Sequence, residues 1–156
     1  MEPIRIEAAI PARIDRVWSA WTRPDRITSW FAPEARLEAR VGGAFELFFD
    51  PADHEHQCTK GCAFTTFEPK KRLGFTWRGP DRFERLMNNS ASLTSVLVTF
   101  SNEDGITRVL VEHHGWGTGA EWEKARAWHQ KAWEEVLGSL SCFLESKAEG
   151  LEETPD

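Results

Sequence analysis

GAEWEKARAWHQKAWEEVLGSLSCFLES, residues 119–146, is the one long stretch of this sequence with a sustained helical period. At about 100° per residue its apolar side chains fall on one stripe and most of its charged side chains fall opposite. The stripe consists of Trp122, Ala125, His129, Ala132, Trp133, Val136, Leu140 and Phe143. A helix of this length spans roughly 40 Å. Its apolar stripe therefore needs a broad partner, which a curved sheet would provide.

The chain before this helix is predicted to consist mostly of strands. Alternating apolar residues predict a first strand over residues 4–10, and helical spacing predicts short helices over 12–22 and 25–30. Six more strands are predicted over residues 35–40, 44–49, 57–67, 73–77, 93–100 and 107–114. Short connections require antiparallel pairing, and Asp104-Gly105 is a strong hairpin signal. The order of elements predicts an α+β fold.

Composition predicts a single globular domain. Of 156 residues, 40% are hydrophobic and 28% are charged. We expect this domain to span residues 1–148 and the acidic tail, residues 149–156, to be disordered. The formal net charge of −6 argues against a nucleic-acid partner. We find no apolar run long enough for a membrane span and no secretory signal, so we expect a cytoplasmic location.

Seven short motifs carry a resemblance to a known family. They are Ile10-Pro11-Ala12, Val17-Trp18-x-Ala20-Trp21-Thr22-x-Pro24, Ile27-x-x-Trp30-Phe31-x-Pro33, Arg40-Val41-Gly42-Gly43-x-Phe45, Pro69-x-x-Arg72-Leu73-x-Phe75-Thr76-Trp77, Thr107-Arg108-Val109 and His113-x-Gly115-Trp116. Together they resemble the bacterial single-domain proteins related to the C-terminal domain of the activator of the ninety-kilodalton heat-shock protein ATPase (AHSA-type). The resemblance covers residues 4–144.

That family belongs to the START-like, birch-pollen-allergen-like (SRPBCC) superfamily. The resemblance implies a helix-grip fold, in which a curved antiparallel sheet and a long C-terminal helix enclose a cavity, with two short helices after the first strand. The superfamily includes lipid carriers, polyketide cyclases, resistance proteins and co-chaperone domains. The fold therefore does not define the activity.

Two histidines are the candidates for chemistry. His129 lies near the middle of the helical stripe, where an imidazole costs free energy unless it has a partner. It is either a hydrogen-bonded core residue or a cavity-facing group that orients a ligand or transfers a proton. His113 shares a predicted strand face with Val109 and Val111, so it can converge with His129. Arg72 or Arg78 could add an anion-binding group at the rim.

Aromatic residues are the candidates for a ligand cavity, because the chain has eight Trp and ten Phe residues but no Tyr. They either fill the core or line the apolar walls typical of ligand sites. The predicted ligand-binding set is Phe75, Trp77, Phe83, Met87, Phe100, His113, Trp116, Trp122, His129 and Trp133. Residues 83–89 are predicted to act as a lid.

A group of possible metal ligands follows the strand predicted over residues 44–49. His54, His56, Cys58 and Cys62 have the donor types that zinc prefers, but their spacing lies outside that of structural zinc sites. On an extended strand the four side chains share one face and cannot converge on one ion. We therefore expect no metal site and no other cofactor. Cys142 lies off the helical stripe and is a weak candidate nucleophile.

Three functions remain open, in order of preference. The first is non-catalytic binding of an apolar or aromatic small molecule, such as a lipid or polyketide, between the sheet and the helix. The second is a cyclase- or hydrolase-like activity that uses His129 or His113. The third is a co-chaperone-like interaction with a heat-shock ATPase, in keeping with a role in the stress response. The sequence does not identify the ligand.

Overall fold

The computed structural model describes residues 1–150, with side chains as far as Ser146. Its elements are β1 (Ile4–Ile10), α1 (Ile14–Thr22), α2 (Pro24–Ile27), β2 (Glu34–Leu37), β3 (Phe45–Phe48), β4 (Phe64–Glu68), β5 (Arg72–Trp77), a 3₁₀ turn (Asp81–Phe83), α3 (Glu84–Met87), β6 (Thr94–Glu103), β7 (Ile106–His114) and α4 (Ala120–Gly150). This order confirms the predicted α+β class. Of the acidic tail predicted over residues 149–156, residues 149–150 belong to α4, and residues 151–156 lie outside the described residues.

The strands form two antiparallel sheets. The larger sheet has the order β1-β7-β6-β5-β4, and the smaller one pairs β2 with β3. Isolated bridges join Ala44 to Ala63 and Phe48 to Cys58, so the small sheet continues the edge of the large one. The β6–β7 hairpin turns at Asp104 and Gly105, both with positive φ, which matches the twist of the strands that it connects.

Helix α4 packs across the large sheet with its predicted stripe inward. Ala125, His129, Trp133 and Leu140 are buried, while Glu134 and other charged residues are exposed. Glu121 and Glu123 in the first turn stabilise the positive end of the helix dipole. The Arg126 guanidinium donates to the backbone oxygens of residues 2 and 3, which ties the helix to the start of β1. No described helix is long and apolar enough to cross a membrane.

Helices α1 and α2 close one end of the sheet. Asp15 lies in the first turn of α1, and Pro24 occupies the first turn of α2, where its missing N–H costs nothing. Trp18 and Trp21 of α1 contact Phe100 of β6 through edge-on ring pairs. This aromatic cluster fills the core on the α1 side of the sheet.

The predicted strand over residues 57–67 is shorter in the structure. Only Phe64–Glu68 forms a ladder, and residues 57–63 reach β3 through isolated bridges. Gln57 has φ of 50° and Gly61 has φ of 89°, both outside the extended region. Backbone at these two positions cannot continue a strand, so the predicted strand begins only at Phe64.

Candidate ligand-binding cleft

A cleft of about 380 Å³ lies between α4 and the C-terminal end of β5. Its volume is within the range of small-molecule sites. It is lined by Phe31, Phe49, Asp50, Gln57, Cys58, Trp77, Arg78, Gly79, Pro80, Trp128, His129, Ala132, Trp133 and Val136. Most of these side chains are apolar or aromatic, and indole rings stand on both the sheet wall and the helix wall.

One wall of the cleft is held by a hydrogen-bond chain through His113, which is fully buried on β7. The indole N–H of Trp133 donates to His113 Nδ1 at 3.0 Å. Because an indole nitrogen only donates, Nδ1 carries no proton and Nε2 must donate to Thr94 Oγ1, 2.9 Å away. Thr94 Oγ1 in turn lies 3.4 Å from the carbonyl oxygen of Trp77. His113 is therefore a neutral structural link between α4 and the sheet.

His129 is one of the residues that line the cleft. Its Nδ1 lies 2.8 Å from the carbonyl oxygen of Ala125, one turn earlier on α4, so Nδ1 carries the proton and donates it. Its Nε2 is buried and has no hydrogen-bond partner among the described residues. Burial lowers the pKa of His129 to about 4. At neutral pH the free nitrogen is therefore an unprotonated acceptor.

Trp77 carries a second buried polar atom, its indole Nε1, which has no hydrogen-bond partner within the described part of the chain. The Trp77 and His129 rings are nearly perpendicular, with centroids 6.4 Å apart. The indole N–H groups of Trp133 and Trp116 are satisfied by His113. Two adjacent rings of the cleft lining therefore carry an unsatisfied donor and an unsatisfied acceptor, both covered by neighbouring atoms.

Charge is confined to the rim of the cleft. Arg78 is half-buried, and its Nη1 donates to the carbonyl oxygen of Lys60, while its Nε has no partner. Arg72, the other arginine considered from the sequence, makes two hydrogen bonds with Glu68 and lies outside the cleft lining. Asp50 lines the same rim and contributes the opposite charge.

Two clamps hold the loops at the cleft mouth. The Gln57 backbone N–H donates to the Asp81 carboxylate, and the Asp81 backbone N–H donates to the Gln57 side-chain oxygen. The Asn88 amide likewise accepts from the Gly79 N–H and donates to the Gly79 carbonyl oxygen. The second clamp fixes the segment that we predict to be a lid.

The structure brings three of the ten predicted ligand-binding residues to the cleft wall: Trp77, His129 and Trp133. Phe83, Trp116 and His113 form a layer behind it, each in ring contact with His129. Trp122 contacts Trp116.

The other three predicted residues belong to the core. Phe75 stacks on Phe45 with centroids 3.9 Å apart, and Phe100 contacts Trp18 and Trp21. Met87 is fully buried, and a Cβ added to Gly79 would lie 2.6 Å from its sulfur, so the two residues are in close contact. These residues support the walls of the cleft without lining it.

Several lining residues were not in the predicted set. Phe31 follows α2 and contacts Trp77 and Trp133, whereas Phe49 and Trp128 stand partly exposed at the mouth. Phe31 belongs to one of the family motifs and Phe49 ends the strand predicted over residues 44–49, but neither pattern indicates that these side chains reach the cleft. Trp128 is adjacent to His129 on the helix, which is the signal that could have identified it.

The residues considered as metal ligands make contacts with different neighbours. His54 pairs with Glu34 and stacks on Phe48, and His56 pairs with Asp53. Burial raises the pKa of the Cys62 thiol to about 11, so it is not a thiolate at neutral pH. Within residues 1–150, no three His, Cys, Asp or Glu side chains lie close enough together to hold a metal ion.

Comparison with solved structures places this fold among known proteins. Protein MLL2253 from Mesorhizobium loti matches with a TM-score of 0.73 at 19% identity, over 92% of this chain and 97% of that one. CalU16 from Micromonospora echinospora matches with a TM-score of 0.66 at 25% identity, over 90% and 74%. The Aha1 dimer from Colwellia psychrerythraea matches with a TM-score of 0.69 at 19% identity, over 90% and 94%. A search of curated protein sequences found no significant match.

The sequence comparison defines the family. The model of the family described as "Activator of Hsp90 ATPase homolog 1-like protein" matches residues 11–145, which is most of the chain. This match agrees with the resemblance carried by the sequence motifs and with the helix-grip architecture. The chain belongs to the Activator of Hsp90 ATPase homolog 1-like family.

Proposed function

We propose that this protein binds an apolar or aromatic small molecule in the cleft between α4 and the sheet, without catalysing a reaction. The observation that carries the proposal is the cleft itself, about 380 Å³ in volume and lined mainly by apolar and aromatic side chains. Trp77 on the sheet and Trp133 on the helix supply apolar surface on two walls. Few polar groups on an otherwise apolar surface are typical of ligand sites.

The state of the two histidines favours binding over acid-base catalysis. His113 has both ring nitrogens occupied by structural hydrogen bonds. His129 has a free nitrogen, but its pKa of about 4 makes it a weak base at neutral pH. A cyclase- or hydrolase-like reaction would require a stronger base inside the cleft, whereas the charged lining residues Asp50 and Arg78 lie at its rim.

Membership of the family supports a second function, an interaction with a heat-shock ATPase. We expect such a partner to recognise the region that matches the family, residues 11–145. The test is the ATPase rate of a purified ninety-kilodalton heat-shock protein with and without this chain. An ATPase rate that does not change at saturating concentrations of this chain would contradict this second function.

The ligand-binding proposal is tested with an anilinonaphthalene sulfonate probe. Its rings match the apolar walls, and its sulfonate can remain at the mouth beside Arg78. We expect saturable binding near one probe per chain, with a change in tryptophan emission because Trp77, Trp128 and Trp133 line the cleft. Lipids or aromatic polyketides that bind there should displace the probe and raise the melting temperature by mass action. Unsaturable binding of many probes per chain would contradict the proposal.

A further inference from the structure

The inner part of the cleft presents an apolar surface to a ligand. Nearly all of the surface that the lining residues expose to the cleft is apolar. The lining residues that are buried or half-buried and uncharged, apart from those in the loops at the mouth, are Phe31, Trp77, His129, Ala132, Trp133 and Val136. Aromatic rings and aliphatic side chains therefore form the inner walls.

The polar atoms of these inner side chains are not available to a ligand. The indole N–H of Trp133 donates to His113, and Nδ1 of His129 donates to the carbonyl oxygen of Ala125. The indole nitrogen of Trp77 and Nε2 of His129 are covered by neighbouring atoms. The backbone groups in the middle of α4 are bonded within the helix. A group inside the cleft therefore meets no accessible side-chain donor or acceptor among these residues.

The polar side chains of the lining stand at the mouth. Asp50 and Gln57 are exposed there, and Arg78 is half-buried. A polar group of a ligand keeps contact with water at this position. The same group deeper in the cleft would lose its water without gaining a hydrogen bond, which costs free energy. The two ends of the cleft therefore differ in the chemistry that they accept.

We propose that the ligand is an amphiphile with one polar end: its hydrocarbon body, free of hydrogen-bonding groups, occupies the inner cleft, and its polar end stays at the mouth. This inference rests on the proposed ligand-binding function and specifies the class and the orientation of the ligand. Acids or alcohols with all polar atoms at one end fit this description. Molecules with hydroxyl groups around the whole ring system do not, because at least one hydroxyl would be buried without a partner.

Two isomeric probes test the orientation. 3-Hydroxy-2-naphthoate has its hydroxyl beside the carboxylate, whereas 6-hydroxy-2-naphthoate has it at the opposite end of the two rings. At neutral pH the carboxylates are ionised and the hydroxyls are protonated. We expect equilibrium dialysis to show at least about tenfold weaker binding of the 6-hydroxy isomer, because its far hydroxyl enters the apolar part of the cleft. 6-Methyl-2-naphthoate, with an apolar group at that end, should bind at least as tightly as the 3-hydroxy isomer.

A pair of variants locates the binding of these acids. Ala132 lines the cleft on α4, and Ala127 is exposed on the same helix. Ala132→Phe should weaken binding of 6-methyl-2-naphthoate by at least about tenfold, because the added ring fills the inner cleft. Ala127→Phe should bind it like wild type. Far-ultraviolet circular dichroism checks that both variants are folded.

Each outcome decides the proposal. Binding of the 6-hydroxy isomer as tight as that of the other two acids, equal binding of 6-methyl-2-naphthoate to Ala132→Phe and wild type, or failure of all three acids while the anilinonaphthalene sulfonate probe binds would overturn the assignment of an amphiphile with one polar end. Ligand binding would still stand in these cases. Failure of the three acids and of the anilinonaphthalene sulfonate probe would overturn the proposed function as well.

Discussion

Trp133 on α4 donates its indole N–H to Nδ1 of His113 on β7, across 3.0 Å of buried interior. This bond joins the long helix to the sheet at the wall of the cleft. It also determines the tautomer of His113, because the indole can only donate. His113 is therefore a structural residue, whereas His129 keeps a buried ring nitrogen without a hydrogen-bond partner among the described residues.

Removing this indole N–H should destabilise the fold. Trp133→Phe leaves the buried His113 Nδ1 without a donor, and an unsatisfied buried acceptor costs about 1–3 kcal/mol. Chemical denaturation measures the loss. Trp128→Phe is the matched control, because that indole is 38% exposed and we expect a smaller change. Equal unfolding free energies for the Trp133 variant and wild type would refute the link.

The two buried histidines should make stability depend on pH. Burial lowers the pKa of His113 well below its usual value and that of His129 to about 4. In the unfolded chain both titrate near 6.5, so below that pH the unfolded state binds protons that the folded state does not. Their contribution is fully present above pH 6.5 and is lost as the pH falls towards 4. Between pH 6 and 5 each should remove up to about 1.4 kcal/mol per pH unit.

Denaturation at several pH values tests this dependence. His129→Leu should flatten the slope between pH 6 and 5, since one of the two groups is removed. The exposed His56 serves as the control, because Asp53 raises its pKa and gives its contribution the opposite sign. His56→Gln should therefore not flatten the slope. An identical slope in wild type and His129→Leu would show that His129 charges freely in the fold.

Replacement by alanine should change the stability of the protein in opposite directions at two glycines. A Cβ at Gly117 would lie 2.5 Å from the Trp122 indole, a rigid ring that must move, so Gly117→Ala should cost about 1–3 kcal/mol. Gly138 lies in α4 with open space around it. Gly138→Ala should stabilise the helix by about 0.5–1 kcal/mol. Thermal denaturation compares both; a neutral Gly117 variant would mean that the Trp122 contact is loose.

The sequence predicts those helices and strands whose apolar side chains recur with a regular period. The stripe of α4 and the alternation in β1, β5, β6 and β7 extend over enough residues to identify both the elements and their buried faces. Residues 57–63 lack such alternation, since Cys58 and Thr59 are both buried and Lys60 and Gly61 are both exposed. Gln57 and Gly61 also adopt positive φ, so this stretch does not form the predicted strand.

The candidate site is less predictable, because its parts are distant in sequence. His113 and His129 were expected to converge, and their ring centroids lie 5.4 Å apart. Phe31 and Phe49 reach the same cleft from irregular connections, where position depends on the packing of the whole domain. Phe100 has the expected buried face but lies at the α1 end of the sheet, since side-chain alternation indicates the face of a strand and not the position along it.

We predict that residues 83–89 act as a lid and control access to the cleft. Asn88→Ala removes both side-chain bonds to Gly79, which also lines the cleft. We expect faster association and dissociation of the anilinonaphthalene sulfonate probe in stopped-flow fluorescence. Asn89→Ala is a control, because its side chain bonds only within the same loop, to the Ala91 N–H. Unchanged rates in Asn88→Ala would show that this segment does not limit entry.

Blocking the cleft is the most direct test of ligand binding at this position. Ala132 lines the cleft, whereas Ala127 is exposed on the same helix. Titration with the anilinonaphthalene sulfonate probe should show at least about tenfold weaker binding to Ala132→Phe, because the added ring occupies the ligand volume. Ala127→Phe should bind the probe like wild type. Equal, saturable binding to both variants would place the probe elsewhere and contradict the assignment of this cleft as the ligand site.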